Sequence, residues 1–474
     1  MSRDHFALQQ SELELPLTIR LEGGVSIELQ TITRSLPKSR ASGVASYQNK
    51  SVFVKFFYDE AKSLRHWQRD QEGVSYLIDS GLPTAQMVLA SKSIEPAGYV
   101  IIFEYLTPTQ SLYHAWKKAD LDTQEGLMKT ILAAFVRQHA LGVCQTDPHL
   151  NNFVFYQDNL LTLDGGGVEK QSRPLNRQQS LQYLAEFAAQ LYPHEVSVLE
   201  AQIPSYIAAR DWLDEDDDLP LFKQYYVKSA EKRITKMLTK IYRNCSAFVE
   251  YVLVNRKAML DRAFDSPEML AFLQNPESQL PDDKAQWLKD GNTCTVWAAV
   301  VNGVPLVVKR YNIKNFSHGV NRALRRTRAS ISWENAHRLA ISGIKTPRPV
   351  ALIEVKKGLI QREAYFITEF QPGVSCREYF SVENHSREGQ EAMAAKIVQL
   401  LQRFFALKLS HGDLKASNLM IGDDEAVMID LDAMKLHTSH SEFEKAKAKD
   451  IKRLLQNWSG QPEVLAWFDK VKIT

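Results

Sequence analysis

Cysteine is scarce in this chain. Cys144, Cys245, Cys294 and Cys376 are the four in 474 residues, and no two of them stand at C-x-x-C spacing. That argues against a disulfide framework and a cysteine zinc site, and the expectation is reduced thiols in a cytosolic protein. Charge of one sign is lacking too. The 58 Lys and Arg stand against 56 Asp and Glu, a net charge of +2, which advertises no nucleic-acid partner, and none is expected. Long apolar runs are missing: "AFVEYVLV" and "WAAVV" are strand-sized, well short of the roughly 18 residues of a membrane span. The opening "MSRDHFALQQSELELPL" has charges where a signal peptide needs an apolar run. A soluble chain is expected, able at most to rest on a membrane surface. What is present in quantity is core material: 44% hydrophobic residues beside 24% charged, in a chain too long for one ordinary core.

The chain repeats itself. "QTDPHLNNFVF" holds Asp147 and Asn152; "HGDLKASNLMI" holds Asp413 and Asn418; and twelve residues after each Asn comes Asp164 or Asp430 on an apolar run. All three members of the second triplet follow their counterparts by 266 residues. Upstream, "YLIDSGLPTAQMVLA" matches "RLAISGIKTPRPVAL" at an offset of 262, with Glu72 and Glu334 eight residues before each Ser-Gly. Lys55 and Lys309 end β-rich runs, and Glu104 in "IIFEYLTP" aligns with Glu369 in "FITEFQPG". Within the loops His149 faces Lys415 and Asn151 faces Ser417, so neither is required by the pattern. Order is kept throughout, as in a tandem duplication with loop insertions. The boundary is placed near residue 250, giving domains 1–250 and 251–474. Beyond it "DSPEMLAFLQNP" reads as a helix with Ser266 as N-cap and Pro267 at its first position. The acidic run 214–218 reads as a solvated loop or helix start.

Each copy begins with strand-like alternation and ends in helical periodicity, the latter in "QEGLMKTILAAFVRQHALG" and "REGQEAMAAKIVQLLQRFFALKL". The fold class is therefore α+β: a small β-rich lobe followed by a helical lobe, twice.

Phosphoryl transfer needs a cation on the nucleotide phosphates, a carboxylate to fix that cation, a carboxylate for the acceptor hydroxyl, and oxygen ligands for magnesium. Each copy offers such a set: Lys55, Glu72, Asp147, Asn152 and Asp164, then Lys309, Glu334, Asp413, Asn418 and Asp430. In this order the residues resemble the protein-kinase-like fold. The resemblance implies Asp413 and Asp147 as catalytic bases, with Asn418, Asp430, Asn152 and Asp164 as magnesium ligands. It implies Lys309 and Lys55 on the ATP phosphates, held by Glu334 and Glu72, and Glu369 and Glu104 at the hinge beside adenine. The stretches "NRALRRTRASISWENAHRLAISGIKTPRPVAL", "HGDLKASNLMI" and "MIDLDAM" more closely resemble the bacterial kinases of lipopolysaccharide inner-core sugars, the Kdo/heptose kinases. That implies ATP and Mg2+ as cofactors, a glycolipid acceptor, and a cytoplasmic enzyme at the inner face of the inner membrane. Arg322, Arg325, Arg326 and Arg328 then suit anionic sugars or an anionic leaflet, or form a solvated basic face.

The copies depart from the pattern in places. Neither has a G-x-G-x-x-G loop; Gly43 and Gly291 are offered instead, which predicts a looser phosphate cradle. Gln145 replaces His411, and Asp450 lies on a helix placed to brace the catalytic loop, with Ser180 as its counterpart. Asp432 reads as a loop cap or a second metal-side carboxylate. Rival readings are a kinase of another small-molecule or protein acceptor, and a tandem pseudokinase scaffold in envelope biogenesis.

Overall fold

A computed structural model describes the chain except for residues 1–12, 37, 60, 214–215, 284, 286, 292, 313–325, 358–359, 382–385 and 470–474. The chain divides into two compact units, Met1–Arg233 and Ile234–Thr474. The division falls ahead of residue 250, inside the helix Asp218–Lys240. The alternating stretch at the expected boundary is a hairpin of the second unit, Phe248–Leu253 against Arg256–Asp261. Past it, Ser266 caps the helix Pro267–Gln274 by accepting the Met269 N–H at 3.1 Å, as its sequence predicts.

The first unit opens with a seven-stranded antiparallel sheet. Edge to edge it runs Ser26–Leu29, Leu17–Leu21, Met87–Glu95, Gly98–Glu104, Lys50–Phe57, Arg40–Tyr47, Arg34–Leu36. Ser26–Leu29 also pairs with Arg40–Tyr47 through Glu28–Ser46 and Leu29–Ala45, which curls the sheet toward a barrel. The pleat sorts the side chains. Val52, Val54 and Phe56 enter the core inside the sheet, and Phe53 and Phe57 join Val74 of the helix Ser63–Asp79 on the other face.

The second unit has its own seven-stranded sheet: Phe248–Leu253, Arg256–Asp261, Pro349–Lys357, Ile360–Glu369, Val304–Tyr311, Cys294–Val301, Lys289–Gly291. Its last five strands follow the connectivity of the first unit's last five. The added hairpin is inverted. In the first unit its leading strand lies against the sheet, Arg20 opposite Glu95. In the second unit its trailing strand does, Leu260 opposite Ala351.

The helical halves agree from the first long helix through the strands of the D-x-x-x-x-N loops. Leu121–Ala140 and Arg387–Ala406 each run 20 residues and start 266 residues apart. The same interval separates the one-turn helices Leu150–Asn152 and Ala416–Asn418, the strands Phe153–Tyr156 and Leu419–Gly422, and the strands Asn159–Thr162 and Glu425–Met428. The two long helices bury Phe135 and Phe404 in their respective cores. The sheet half is tied to this half by equivalent backbone bonds: Thr162 N–H to Pro83 O at 2.9 Å, and Met428 N–H to Lys345 O at 3.0 Å. Each unit is thus a β-rich lobe on a mainly helical lobe, and its strand-end loops meet between them.

Candidate active site

In each unit the D-x-x-x-x-N loop is closed on itself. Asn152 Nδ2 donates to the Asp147 carbonyl at 3.1 Å, and Asn418 Nδ2 to the Asp413 carbonyl at 2.8 Å. The same Asn carbonyls accept from Leu163 N–H at 2.7 Å and Ile429 N–H at 2.9 Å. Each Asn is thereby held one residue from the next Asp, and its side-chain Oδ1 is left to accept. Asp164 and Asp430 both take left-handed backbone, φ 65° and 62°, an unusual conformation for a residue with a side chain. It turns their carboxylates back to the lysine of the sheet lobe.

That lysine is paired differently from the expectation. In the first unit Lys55 Nζ lies 2.9 and 3.0 Å from the two oxygens of Asp70 and 3.1 Å from Asp164. Glu72 is exposed. The helix Ser63–Asp79 buries Asp70, Gly73, Val74 and Leu77, the i, i+3, i+4, i+7 stripe of one face. Residue 72 lies about 200° round from residue 70 and faces away. Burial works against the Lys55 charge, yet Asp70 and Asp164 outweigh it and raise its pKa. Burial likewise opposes the Asp164 charge, and Lys55 overrides it, bringing the carboxyl to about 2.

In the second unit Lys309 forms an ion pair with Asp430 and stands 3.7 Å from Asp432. Burial opposes its charge; Tyr311, Asp430 and Asp432 together push its pKa up. Glu334 is not its partner: it pairs with Arg326 at 2.8 Å and Arg338 at 3.4 Å. The helix face that carries Asp70 in the first unit carries Ser332 here, whose hydroxyl is 2.8 Å from Tyr311 OH. The second carboxylate comes instead from the loop after Asp430, where Asp432 is also gripped by Arg328 at 2.5 Å. The first unit has Gly166 at that loop position, and a Cβ there would sit 3.7 Å from the Asp70 carboxylate. One space beside the lysine is filled from the helix in one unit and from the loop in the other.

The helix–loop contact changes with it. A Cβ on Gly73 would come within 1.9 Å of the Gly165 carbonyl oxygen, so backbone packs directly on backbone. Asn335 takes the Gly73 position and bridges the wider gap, donating to Leu431 O at 2.9 Å and Met434 O at 3.1 Å.

The loop supports also differ. Asp450 accepts from His411 N–H at 2.6 Å and Gly412 N–H at 3.0 Å, bracing the second loop from its helix. His411 Nε2 adds a bond to Ile429 O at 3.0 Å. Counted from the helix caps Asn176 and Ser439, the Asp450 position corresponds to Phe187, not Ser180. Phe187 is buried against Phe135, and the Ser180 hydroxyl accepts from Arg210 at 3.2 Å. The first loop is held by other means: Gln145 Oε1 accepts from Asn152 at 3.0 Å, and Thr146 N–H donates to Gly167 O at 2.7 Å.

Around the candidate bases the two units part further. Asp413 is paired with Arg453 at 2.5 Å and Lys415 at 3.5 Å. Asp147 is exposed; its carboxylate meets the Gln190 amide at 3.4 Å and lies close enough to His149 to act on its charge.

Glu104 and Glu369 end the strands that lead out of each sheet, and their N–H groups bond Gln86 O at 3.0 Å and Arg348 O at 2.9 Å. Their side chains go to the Gln86 N–H and to Arg348 respectively. Gly43 lies within the strand Arg40–Tyr47 and not in a loop, and Gly291 ends Lys289–Gly291. Arg322 and Arg325 lie outside the described residues, as do Asp214 and Glu215. Arg326 and Arg328 are engaged by Glu334 and Asp432, and Asp218 opens its helix paired with Arg177 at 3.2 Å. Asp70, Arg453 and Gln190 were missed in the sequence, and Arg328, set there among basic residues for an anionic partner, grips Asp432 instead. Asp70 had a usable signal, since it shares the apolar stripe with Val74 and Leu77.

A buried lysine on a strand, an Asp–Asn loop and a following Asp gathered between two lobes form the kind of arrangement that kinases use. Comparison with known proteins points the same way: the model of the lipopolysaccharide kinase (Kdo/WaaP) family matches residues 278–466. That stretch lies within the second unit and includes Lys309, Asp413, Asn418 and Asp430. No curated protein matches the chain. Among the described residues no helix is long and apolar enough to cross a membrane.

Proposed function

We propose that this chain is an ATP-dependent kinase of a sugar hydroxyl in the lipopolysaccharide inner core, heptose or Kdo. In this reading it is built as a tandem duplication of two kinase-like domains. The observation that carries the reading is the family match over residues 278–466, on the unit where Lys309, Asp430 and the Asp413–Asn418 loop converge. Lys309 grips the α- and β-phosphates. Asp413 takes the acceptor proton as the hydroxyl oxygen bonds the γ-phosphorus and ADP leaves. The backbone around Glu369 faces adenine. Lys55, Asp147 and Glu104 do the same work in the first unit. Glu334 and Glu72 have no part in holding the lysines; Asp432 and Asp70 take that role.

Magnesium suits the donor set. Among the described residues no cluster of three His, Cys, Asp or Glu is present. Magnesium on a nucleotide needs only one or two protein oxygens, the rest coming from phosphate and water. Asp430 with Asn418 Oδ1, and Asp164 with Asn152 Oδ1, supply two each. When bound, the ion neutralises charge on the β- and γ-phosphates. The acceptor is a glycolipid, so the chain works in the cytoplasm at the inner face of the inner membrane, as a peripheral protein.

The test offers radiolabelled ATP to the wild type, Asp147→Ala, Asp413→Ala and the double variant, with core glycolipid, peptide and small-sugar acceptors. Transfer to the glycolipid is expected, abolished in the double variant and mostly lost in Asp413→Ala. Nucleotide binding without transfer to any acceptor would favour the scaffold reading, and transfer to peptide alone would move the substrate class.

A further inference from the structure

The surroundings of Asp413 and Asp147 carry a consequence for the acceptor. Arg453 lies on the helix His440–Leu455, fourteen residues past its cap Ser439; Gln190 lies fourteen past the cap Asn176. Both reach the candidate base, Arg453 at 2.5 Å and Gln190 at 3.4 Å. The neighbouring loop position is Lys415 in one unit and His149 in the other, and Lys415 stands 3.5 Å from Asp413. One Asp therefore faces a guanidinium and an ammonium, while the other faces a neutral amide and the His149 imidazole, whose pKa burial lowers against the pull of Asp147.

A guanidinium on the base has two effects. It occupies Asp413 while the pair is closed. It also offers a planar, bidentate donor to any carboxylate or phosphate that arrives beside the hydroxyl to be phosphorylated. The Asp413 Oδ1 that Arg453 meets is buried and has no hydrogen-bond partner, so the contact is one of charge without hydrogen-bond geometry. The Arg453 side chain is 45% exposed, so an entering anion can reach the guanidinium from solvent and exchange for Asp413.

We propose that the two units select acceptors by charge. The second unit takes a sugar hydroxyl flanked by an anionic group, carboxylate or phosphate, which draws Arg453 off Asp413. The first unit takes a hydroxyl with no such neighbour. As the anion binds Arg453, Asp413 is released to take the hydroxyl proton, the new O–P bond forms and ADP departs. Arg453 is thus an acceptor-binding residue and Gln190 its neutral counterpart. The proposal rests on the kinase reading above.

The test uses full-length chains with one unit silenced, Asp147→Ala to read the second and Asp413→Ala to read the first. Each is given matched glycosides with and without an anionic group beside the acceptor hydroxyl. The second unit is expected to prefer the anionic member and the first the neutral one. Arg453→Gln should raise KM for the anionic acceptor by roughly tenfold and increase transfer to the neutral one, whose hydroxyl no longer competes with a guanidinium for Asp413; Arg453→Lys should restore part of the preference. Gln190→Arg should move the first unit toward the anionic acceptor, a gain that does not depend on how Arg453→Gln folds. Equal loss on both acceptors in Arg453→Gln, or no change of preference in Gln190→Arg, overturns the proposal. Transfer that ignores acceptor charge sinks only this inference; absence of transfer to any acceptor sinks the kinase reading itself.

Discussion

Asp70 and Glu72 stand two residues apart on one helix and behave in opposite ways. Asp70 is 1% exposed and holds a buried ammonium; Glu72 is on the solvent face. Asp70→Asn removes the carboxylate that meets the Lys55 ammonium with both oxygens and leaves Asp164 as its partner, so it is expected to cost the first unit about 2 kcal/mol. Glu72→Gln should stay within about 0.5 kcal/mol, the usual range for an exposed site. Urea unfolding of the two variants checks the contrast, and equal effects would restore Glu72 as the lysine's partner. Acid tests the same cluster. Asp164 has its pKa brought down to about 2 from an ordinary 3.8. A lowered carboxyl contributes stability above its unfolded pKa and loses it as pH falls through the folded value. The Asp164 contribution is therefore complete above about pH 4 and fades toward pH 2. The stability gap between wild type and Asp164→Asn should close over that interval; a gap unchanged down to pH 2 would mean that Lys55 does not hold the carboxylate.

Between elements, the exchange of Asp70 for Asp432 is a matter of which backbone supplies a side chain to one place. The helix face with Ser332 and the loop with Asp432 mirror the helix face with Asp70 and the loop with Gly166. Asp432→Gly alone should lower nucleotide affinity in the second unit, read by titration calorimetry in an Asp164→Asn background that weakens the first site. Adding Ser332→Asp should recover much of it, because the carboxylate returns from the helix side. If the double variant stays as weak as the single one and the apparent magnesium requirement rises, Asp432 serves the metal and not the lysine. This scale also shows where sequence reading reaches its limit. Chemistry that resides in short spacing was legible: the Asp–Asn loops, the Asp after the next strand, the Ser266 cap and the brace at Asp450. The lysine's partner was not: motif order names a Glu, whereas in the first unit the helix angle selects Asp70, two places before it, and in the second the loop supplies Asp432. Arg453 and Gln190 were illegible for another reason. Arg453 reaches the site from a helix well downstream and Gln190 from the turn after one, and no local spacing marks that approach. The turns were misread because Gly43 was assigned to a loop, although glycine within a strand also marks close backbone approach. A Cβ on Gly43 would lie 1.8 Å from the Thr31 carbonyl oxygen.

At the scale of the whole chain, one plan is carried out twice with unequal support. The matched strand order and the 266-residue interval of the helical halves accord with a duplicated ancestor. The inverted hairpin at Leu17–Leu29 and Phe248–Asp261 is where the strand orders of the two units differ, and that edge carries none of the candidate site residues. The support that matters for turnover is Asp450. Its carboxylate is 2% exposed and accepts two backbone N–H bonds from the loop that presents Asp413. Bonds of that charged kind contribute about 1.5–3 kcal/mol each. Part of the loss on removal is recovered by water or relaxation, and the remainder appears as misplacement of Asp413. Asp450→Asn is therefore expected to lower turnover by the second unit on the order of 10- to 100-fold, a range that small misplacement of a reacting group produces. The first unit has Phe187 at the corresponding helix position and holds its loop through Gln145 and Thr146. The same substitution should then leave transfer by an Asp413→Ala chain unchanged while cutting transfer by an Asp147→Ala chain. Nucleotide affinity in both backgrounds separates a displaced base from an unfolded lobe. A parallel fall in both activities would mean that the two units do not work as independent sites.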